Sequence, residues 1–232
     1  MTLETERLTA SYDMSQVLFG IDLSVDSAET VCVLGRNGVG KTTTLKTIMG
    51  MLKPRSGHIR FNGAEIGGLH SYEINRLGIA YIPQGRHIFP NLSVRENLVI
   101  GERRAKDEKS GWNLGRIYEL FPVLKKRQSF AGKSLSGGEQ QMLAVARGLM
   151  QNPTTLLMDE ICEGLAPFIV KELEEVIGEL RRTGVSILLA EQSVKFAVAV
   201  ASRCYILEKG HVVYSGTTKD IPQATLLKYL GA

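Results

Sequence analysis

The opening of the chain alternates between apolar and polar positions. Leu3, Arg7-Leu8-Thr9 and Ile21-Asp22-Leu23-Ser24-Val25 carry the two-residue period of a sheet with a solvated face, and predict exposed antiparallel strands. The pattern changes at Thr30-Val31-Cys32-Val33-Leu34, a continuous apolar run closed by glycine, as suits a strand covered on both faces. Similar runs recur at Gly78-Ile79-Ala80-Tyr81-Ile82, Thr155-Leu156-Leu157-Met158 and Val185-Ser186-Ile187-Leu188-Leu189, with helical periodicity between them. Strands alternating with helices predict a mostly parallel sheet covered by helices.

From about Asn91 to Lys133 the pattern is mostly helical. Ser93-x-x-Glu96 is a capping box opening a helix, Arg103 to Trp112 is a charged surface loop, and Ile117-Tyr118-Glu119-Leu120-Phe121 restarts a helix that stops at Pro122. Near the end, Cys204-Tyr205-Ile206-Leu207 and His211-Val212-Val213-Tyr214 flank Glu208-Lys209-Gly210, a hairpin signal with glycine in the turn. The expected fold is one α/β domain over residues 1–232. An N-terminal antiparallel β subdomain and a parallel core occupy about 1–85 and 150–232, and a helical subdomain is inserted at about 86–149.

Composition narrows this picture without changing it. With 232 residues, 44% hydrophobic and 22% charged, the chain can bury a sizeable core and is not of disordered type. The net charge of +4 is mild. The basic stretches Arg103-Arg104-Ala105-Lys106 and Lys125-Lys126-Arg127 suit a solvated helix face or a face toward anionic lipid or nucleic acid. Cys32, Cys162 and Cys204 have no metal-binding spacing and read as reduced thiols, Cys32 and Cys204 as core. The polar Met1 to Arg7 is not a signal peptide, and no apolar run reaches the roughly 18 residues of a membrane span, so a membrane role has to come through a partner.

Two segments carry the chemistry of a nucleotide. Gly35-Arg36-Asn37-Gly38-Val39-Gly40-Lys41-Thr42 fits GxxxxGK[ST] between a predicted strand and a helix over Lys41 to Met49, and Thr43 follows directly. Glycines let the backbone N–H groups turn toward a polyphosphate, and the helix aims its positive end at the same place. Lys41 suits the β and γ phosphates of ATP, and the Thr42 hydroxyl suits Mg²⁺. The apolar strand through Met158 ends in Asp159-Glu160, where open α/β sheets bind ligands. Asp159 is the candidate metal ligand and Glu160 the group that orients or deprotonates water, against the plainer reading of two surface acids at a strand end.

Leu135-Ser136-Gly137-Gly138-Glu139 separates this chain from kinases, GTPases and motors. Ser136-x-x-Glu139 is also a capping box for a helix from Glu139 to Met150, yet two glycines in a first turn weaken a helix by about 1 kcal/mol each. They leave N–H groups open to a second anion. Here the sequence resembles the ABC ATPase family, whose signature is LSGGQ, and the resemblance covers essentially the whole chain. It implies a P-loop ATPase in which two subunits clamp two ATP molecules head to tail, Leu135 to Glu139 of one reaching the nucleotide held by the other. It further implies that Tyr12 stacks on adenine, that Gln84 contacts Mg²⁺ and water, that Gly164-Leu165-Ala166-Pro167 crosses the dimer interface, and that the residue at 192 is a γ-phosphate switch.

Two positions depart from the family pattern. Gln192 stands where a histidine is usual, and a neutral donor contributes nearer 1 kcal/mol against about 1.5–3 for a charged one, which implies a weaker switch and heavier reliance on Glu160. Ile161-Cys162 stands where proline followed by Ser or Thr is more usual. Together with Glu163-Gly164-Leu165-Ala166-Pro167 and Tyr81-Ile82-Pro83-Gln84-Gly85-Arg86, these features are similar to the second ATPase subunit of bacterial branched-chain amino acid importers and related urea or amide importers. That branch implies a peripheral protein at the cytoplasmic face of the inner membrane. Its expected partners are a second ATPase subunit in a homo- or heterodimer, two integral membrane permeases and, indirectly, a periplasmic or extracellular substrate-binding protein, with no nucleic acid. An exporter ATPase and a soluble ABC ATPase of repair, translation or iron–sulphur assembly are the competing readings.

Overall fold

The computed structural model describes residues 2–105 and 111–231; Lys106 to Ser110, part of the expected charged loop, fall outside the described residues. Strands β1 (Leu3–Tyr12) and β2 (Ser15–Val25) form an antiparallel pair, and β4 (Ser56–Phe61) and β5 (Ala64–Glu65) extend it to a four-stranded sheet in the order β2-β1-β4-β5. These strands are not simply exposed. Leu3, Leu8, Ile21, Leu23 and Val25 are buried, because the alternation turns one face onto Val31, Val33 and Leu188 of the second sheet.

That second sheet runs β10-β9-β3-β8-β7-β6, built from β3 (Thr30–Leu34), β6 (Ile79–Ile82), β7 (Thr155–Asp159), β8 (Ser186–Glu191), β9 (Arg203–Glu208) and β10 (His211–Thr217). All its pairs are parallel except the β9–β10 hairpin. Helix α1 (Lys41–Ile48) follows β3, α7 (Pro167–Arg182) follows β7, and α8 (Val194–Val200) follows β8. The carboxyl ends of β3, β7 and β8 therefore lie side by side, Leu34 beside Glu191 and Asp159 beside Ala190. This is the edge where open α/β sheets bind ligands.

Between β6 and β7 the chain is helical: α3 (Val94–Ile100), α4 (Leu114–Leu120), α5 (Pro122–Lys126) and α6 (Gly137–Leu149) follow α2 (Ser71–Leu77) in order. Ser93 caps α3 with the expected capping box. Pro122 corrects the expectation of a simple stop: α4 ends at Leu120, and Pro122 opens α5 at a first-turn position where its missing N–H costs nothing. Helix α6 begins two residues before Glu139, so both glycines lie inside its first turn, and it ends at Leu149 rather than Met150. Among the described residues no helix is long and apolar enough to cross a membrane. Cys32 and Cys204 are buried on adjacent strands, and all three cysteines are free.

One turn ties three parts together. The Gly210 N–H donates to the Val39 carbonyl in the glycine loop at 2.9 Å, and its carbonyl accepts from the Phe19 N–H of β2 at 2.9 Å. Its φ is 76°, and a Cβ there would lie 1.9 Å from the Val17 carbonyl oxygen. No side chain fits without separating the hairpin from β2 and the glycine loop. Gly210→Ala is expected to lower stability by about 2–4 kcal/mol in a denaturant titration and to weaken nucleotide binding with it, since the same turn braces Val39. Wild-type stability in the variant would contradict this bracing.

Candidate functional site

The glycine loop between β3 and α1 wraps the Lys41 side chain. Gly38 and Gly40 have φ of 82° and 115°, conformations that an L side chain rarely adopts. The Lys41 ammonium is 3% exposed and donates to the Gly35 and Arg36 carbonyls at 2.8 and 3.0 Å. Its remaining partner is the Glu160 carboxylate, 2.9 Å away, itself 9% exposed. One residue on, the Thr42 hydroxyl donates to Asp159 Oδ1 at 3.0 Å.

Asp159 ends β7 with no exposure, and burial raises its carboxyl above the usual range, opposed by hydrogen bonds from Tyr81 and Thr42. The Tyr81 hydroxyl of β6 donates to Asp159 Oδ2 at 2.9 Å. Burial first, and the Asp159 charge second, push the Tyr81 phenol upward, with a smaller contribution from Tyr12. Tyr12 closes β1 of the first sheet, and its ring is 44% exposed. Thr42 and Asp159 together supply a hydroxyl and a carboxylate, the oxygen donors of a hard divalent cation. Among the described residues no group of three His, Cys, Asp or Glu could hold a metal, so a cation here needs further oxygens from a nucleotide or water.

Glu160 sits in a left-handed backbone conformation, φ 46°, with its N–H bonded to the Ala190 carbonyl at 2.9 Å. The Gln84 amide, just past β6, reaches Glu160 Oε2 at 3.0 Å and Glu163 at 2.6 Å. A cavity of about 280 Å³ lies beside Glu160, lined also by Cys162, Glu163, Glu191, Gln192 and Ser193. Gln192 is exposed there and its side chain makes no hydrogen bond among the described residues. Burial, and to a lesser extent the nearby Glu160 charge, push the Glu191 carboxyl up to about 7 against hydrogen bonds from Cys162 and Gln192. Lys41, Thr42, Gln84, Asp159, Glu160 and Gln192 thus gather at one edge of the second sheet, while Tyr12 ends β1 of the first.

The segment Leu135 to Glu139 stands apart from it: no hydrogen bond or ion pair links it to Lys41 or Thr42. Leu135 is buried, and Ser136 caps α6 by accepting the Glu139 N–H at 3.3 Å. Glu139 folds back to the Ser136 N–H at 2.8 Å and pairs with Arg127 at 2.6 Å, which holds its carboxyl below the usual range despite burial. The glycines have packing reasons as well. A Cβ on Gly137 would meet the Arg86 guanidinium at 2.7 Å, and one on Gly138 would meet Ile169 at 2.7 Å.

Sequence reading missed Tyr81, Arg86 and Asn97. The buried Asn97 amide accepts the Phe89 N–H at 2.8 Å and donates to the Phe89, Leu92 and Ser93 carbonyls, fixing the loop that follows Gln84. Arg147 of α6 adds a bond to the His87 carbonyl at 2.5 Å. Tyr81 shows in the sequence only as a hydroxyl within an apolar run, and Arg86 and Asn97 carry no local signal among their polar neighbours.

The family model described as ABC transporter matches residues 18–163. The high-affinity branched-chain amino acid transport ATP-binding protein BraG of Pseudomonas aeruginosa is 40% identical over 215 residues, 93% of this chain and 92% of that protein. The lipopolysaccharide export system ATP-binding protein LptB of Escherichia coli is 35% identical over 235 residues, 99% of this chain and 97% of that protein. A solved ATP-binding subunit of an ABC transporter superposes with a TM-score of 0.82 at 29% identity, covering 95% of this chain and 91% of that one. The glycine loop, the acid pair at the end of β7 and the capped Gly-Gly helix sit in a chain that belongs to the ABC transporter ATPase family, and the protein binds and hydrolyses ATP.

Among the described residues Tyr81 is the only donor to Asp159 Oδ2, so Tyr81→Phe leaves a buried acceptor unpaired. Stability of the nucleotide-free protein is expected to fall by about 1–3 kcal/mol in chemical denaturation. An unchanged midpoint would mean that Tyr81 does not support Asp159.

Proposed function

We propose that this protein energises an importer for branched-chain amino acids or a related small amino acid or amide, working as one of two ATPase subunits beneath two membrane permeases. The carrying observation is the Glu160 corner, where a buried lysine, a metal-suited Thr42–Asp159 pair and an amide from Gln84 meet one carboxylate. ATP would bind with its phosphates in the Gly35–Thr43 loop and its adenine against Tyr12. Mg²⁺, held by Thr42, Asp159 and Gln84, would neutralise charge between the phosphates and polarise the terminal one. Glu160 would then turn from Lys41 to the attacking water, orienting it and taking its proton. Gln192 would donate to the γ-phosphate as a neutral group.

The dimer reading rests on Ser136, Gly137 and Gly138, whose helix terminus is suited to an anion yet has no nucleotide loop of its own beside it. A groove of about 520 Å³ supports the permease reading. It is lined by Tyr72, Arg76, Phe89, Ile100, Arg147 and Gln151, and Tyr72, Phe89 and Ile100 are exposed there. It adjoins the loop after Gln84, so a membrane subunit seated in it would feel movement of that amide. This also supports a peripheral location on the cytoplasmic face, with the substrate-binding protein engaged only through the permeases. The importer direction rests on the 40% identity to BraG; the 35% identity to LptB favours an exporter as the second reading.

Glu160→Gln is expected to retain ATP binding and lose turnover by roughly 10²–10⁴-fold. Normal turnover would remove Glu160 from the reaction. Purification of the protein with its partners from native membranes is expected to recover two permeases, a sister ATPase and an amino-acid-type binding protein. Recovery of lipopolysaccharide-export components instead would support the exporter.

A further inference from the structure

The last two residues of β8 hold the loop that follows Glu160. The Ala190 carbonyl accepts the Glu160 N–H at 2.9 Å, and Glu191 Oε1 accepts the Cys162 N–H at 3.2 Å. Glu191 Oε2 accepts the Gln192 N–H at 3.3 Å. Glu191 is 3% exposed, and among the described residues no cation lies within ion-pairing distance of it. A buried carboxyl without a countercharge is costly and persists where its hydrogen bonds do something a hydrophobic residue cannot. Glu160 meanwhile holds a left-handed backbone conformation that a non-glycine residue keeps only when its surroundings impose it.

We propose that Glu191 is a positioning residue for hydrolysis: its two oxygens clamp the Cys162 and Gln192 N–H groups, and so tie the loop after Glu160 to the end of β8 and hold the Glu160 carboxylate in place beside the cavity. The two ties to β8 act at residues 160 and 162, on either side of Ile161, whose side chain is buried in the core. Without the second tie the loop is free to relax the Glu160 backbone, which swings the carboxylate away from the phosphate end of Lys41. The glycine loop, Lys41 and Thr42 are untouched by Glu191, so nucleotide binding stays.

The inference rests on Glu160 as the group that acts on water, and Glu160→Gln alone tests that assignment. Glu191→Gln keeps the shape but turns an NH₂ toward one of the two N–H donors. It is expected to lower kcat roughly tenfold with nucleotide Kd within about twofold of wild type. In the Glu160→Gln background the same change is expected to cause no further loss, because Glu191 acts through a carboxylate already removed. Glu191→Asp, which keeps the charge and shortens the reach, is expected to fall between. An unchanged kcat in Glu191→Gln, a loss that multiplies fully with that of Glu160→Gln, or a Kd that weakens in step with kcat would each overturn the proposal. Failure of both Glu191 variants to fold would assign the residue to stability instead.

Discussion

The site depends on one buried positive charge. The Lys41 ammonium lies at the carboxyl edge of the parallel sheet, enclosed by its own loop, with two backbone carbonyls and Glu160 for partners. An ammonium removed from water must have a negative partner, and leaving one member of such a pair alone costs about 3–5 kcal/mol. Without nucleotide that partner is Glu160, the carboxylate to which the proposed function gives the attacking water. The terminal phosphates of ATP bring more negative charge than a carboxylate and can replace it. Under the proposed function, binding and activation then become one event: Glu160 would be released from Lys41 as the phosphates arrive, while Gln84 already holds its other oxygen.

The rest of the fold keeps the members of that exchange in register. Strands β3, β7 and β8 deliver the glycine loop, Asp159-Glu160 and Glu191-Gln192 to adjacent points because their pairing is parallel and in step. The β-hairpin turn at Gly210 braces the loop from outside, and Tyr81 braces Asp159 from β6. The helical segment contributes at a distance. Asn97 and Arg147 pin the loop beyond Gln84 at Phe89 and His87, beside the exposed Tyr72–Phe89–Ile100 groove.

Much of this was legible in the sequence, and the parts that were have a common cause. The glycine loop, the acid pair after Met158 and the Ser136–Glu139 cap are contiguous, so each states its geometry within a few residues. The buried strands were legible because continuous apolar runs have few other uses. The short β4–β5 pair was not, since only the end of Ser56–Phe61 alternates in burial. At Pro122 the stop was legible and the new helix was not, because proline ends one helix and opens another equally well. Tyr81 with Asp159, Arg86 with Gly137, and the Glu191 clamp were invisible because their partners are dozens of residues away in the chain or belong to the backbone. In these cases the sequence shows a polar group and not its partner, and packing decides what it meets.

The exchange at Lys41 can be read from nucleotide-induced thermal stabilisation of the wild type and Glu160→Gln, measured without turnover in the absence of divalent cation. A buried pair broken on one side predicts that nucleotide-free Glu160→Gln melts below wild type, and that ATP raises its melting temperature by more, because the phosphates then restore a partner to Lys41 without displacing one. Equal melting temperatures without nucleotide and equal shifts with it would contradict the exchange, and would mean that Glu160 and the phosphates do not compete for the same charge.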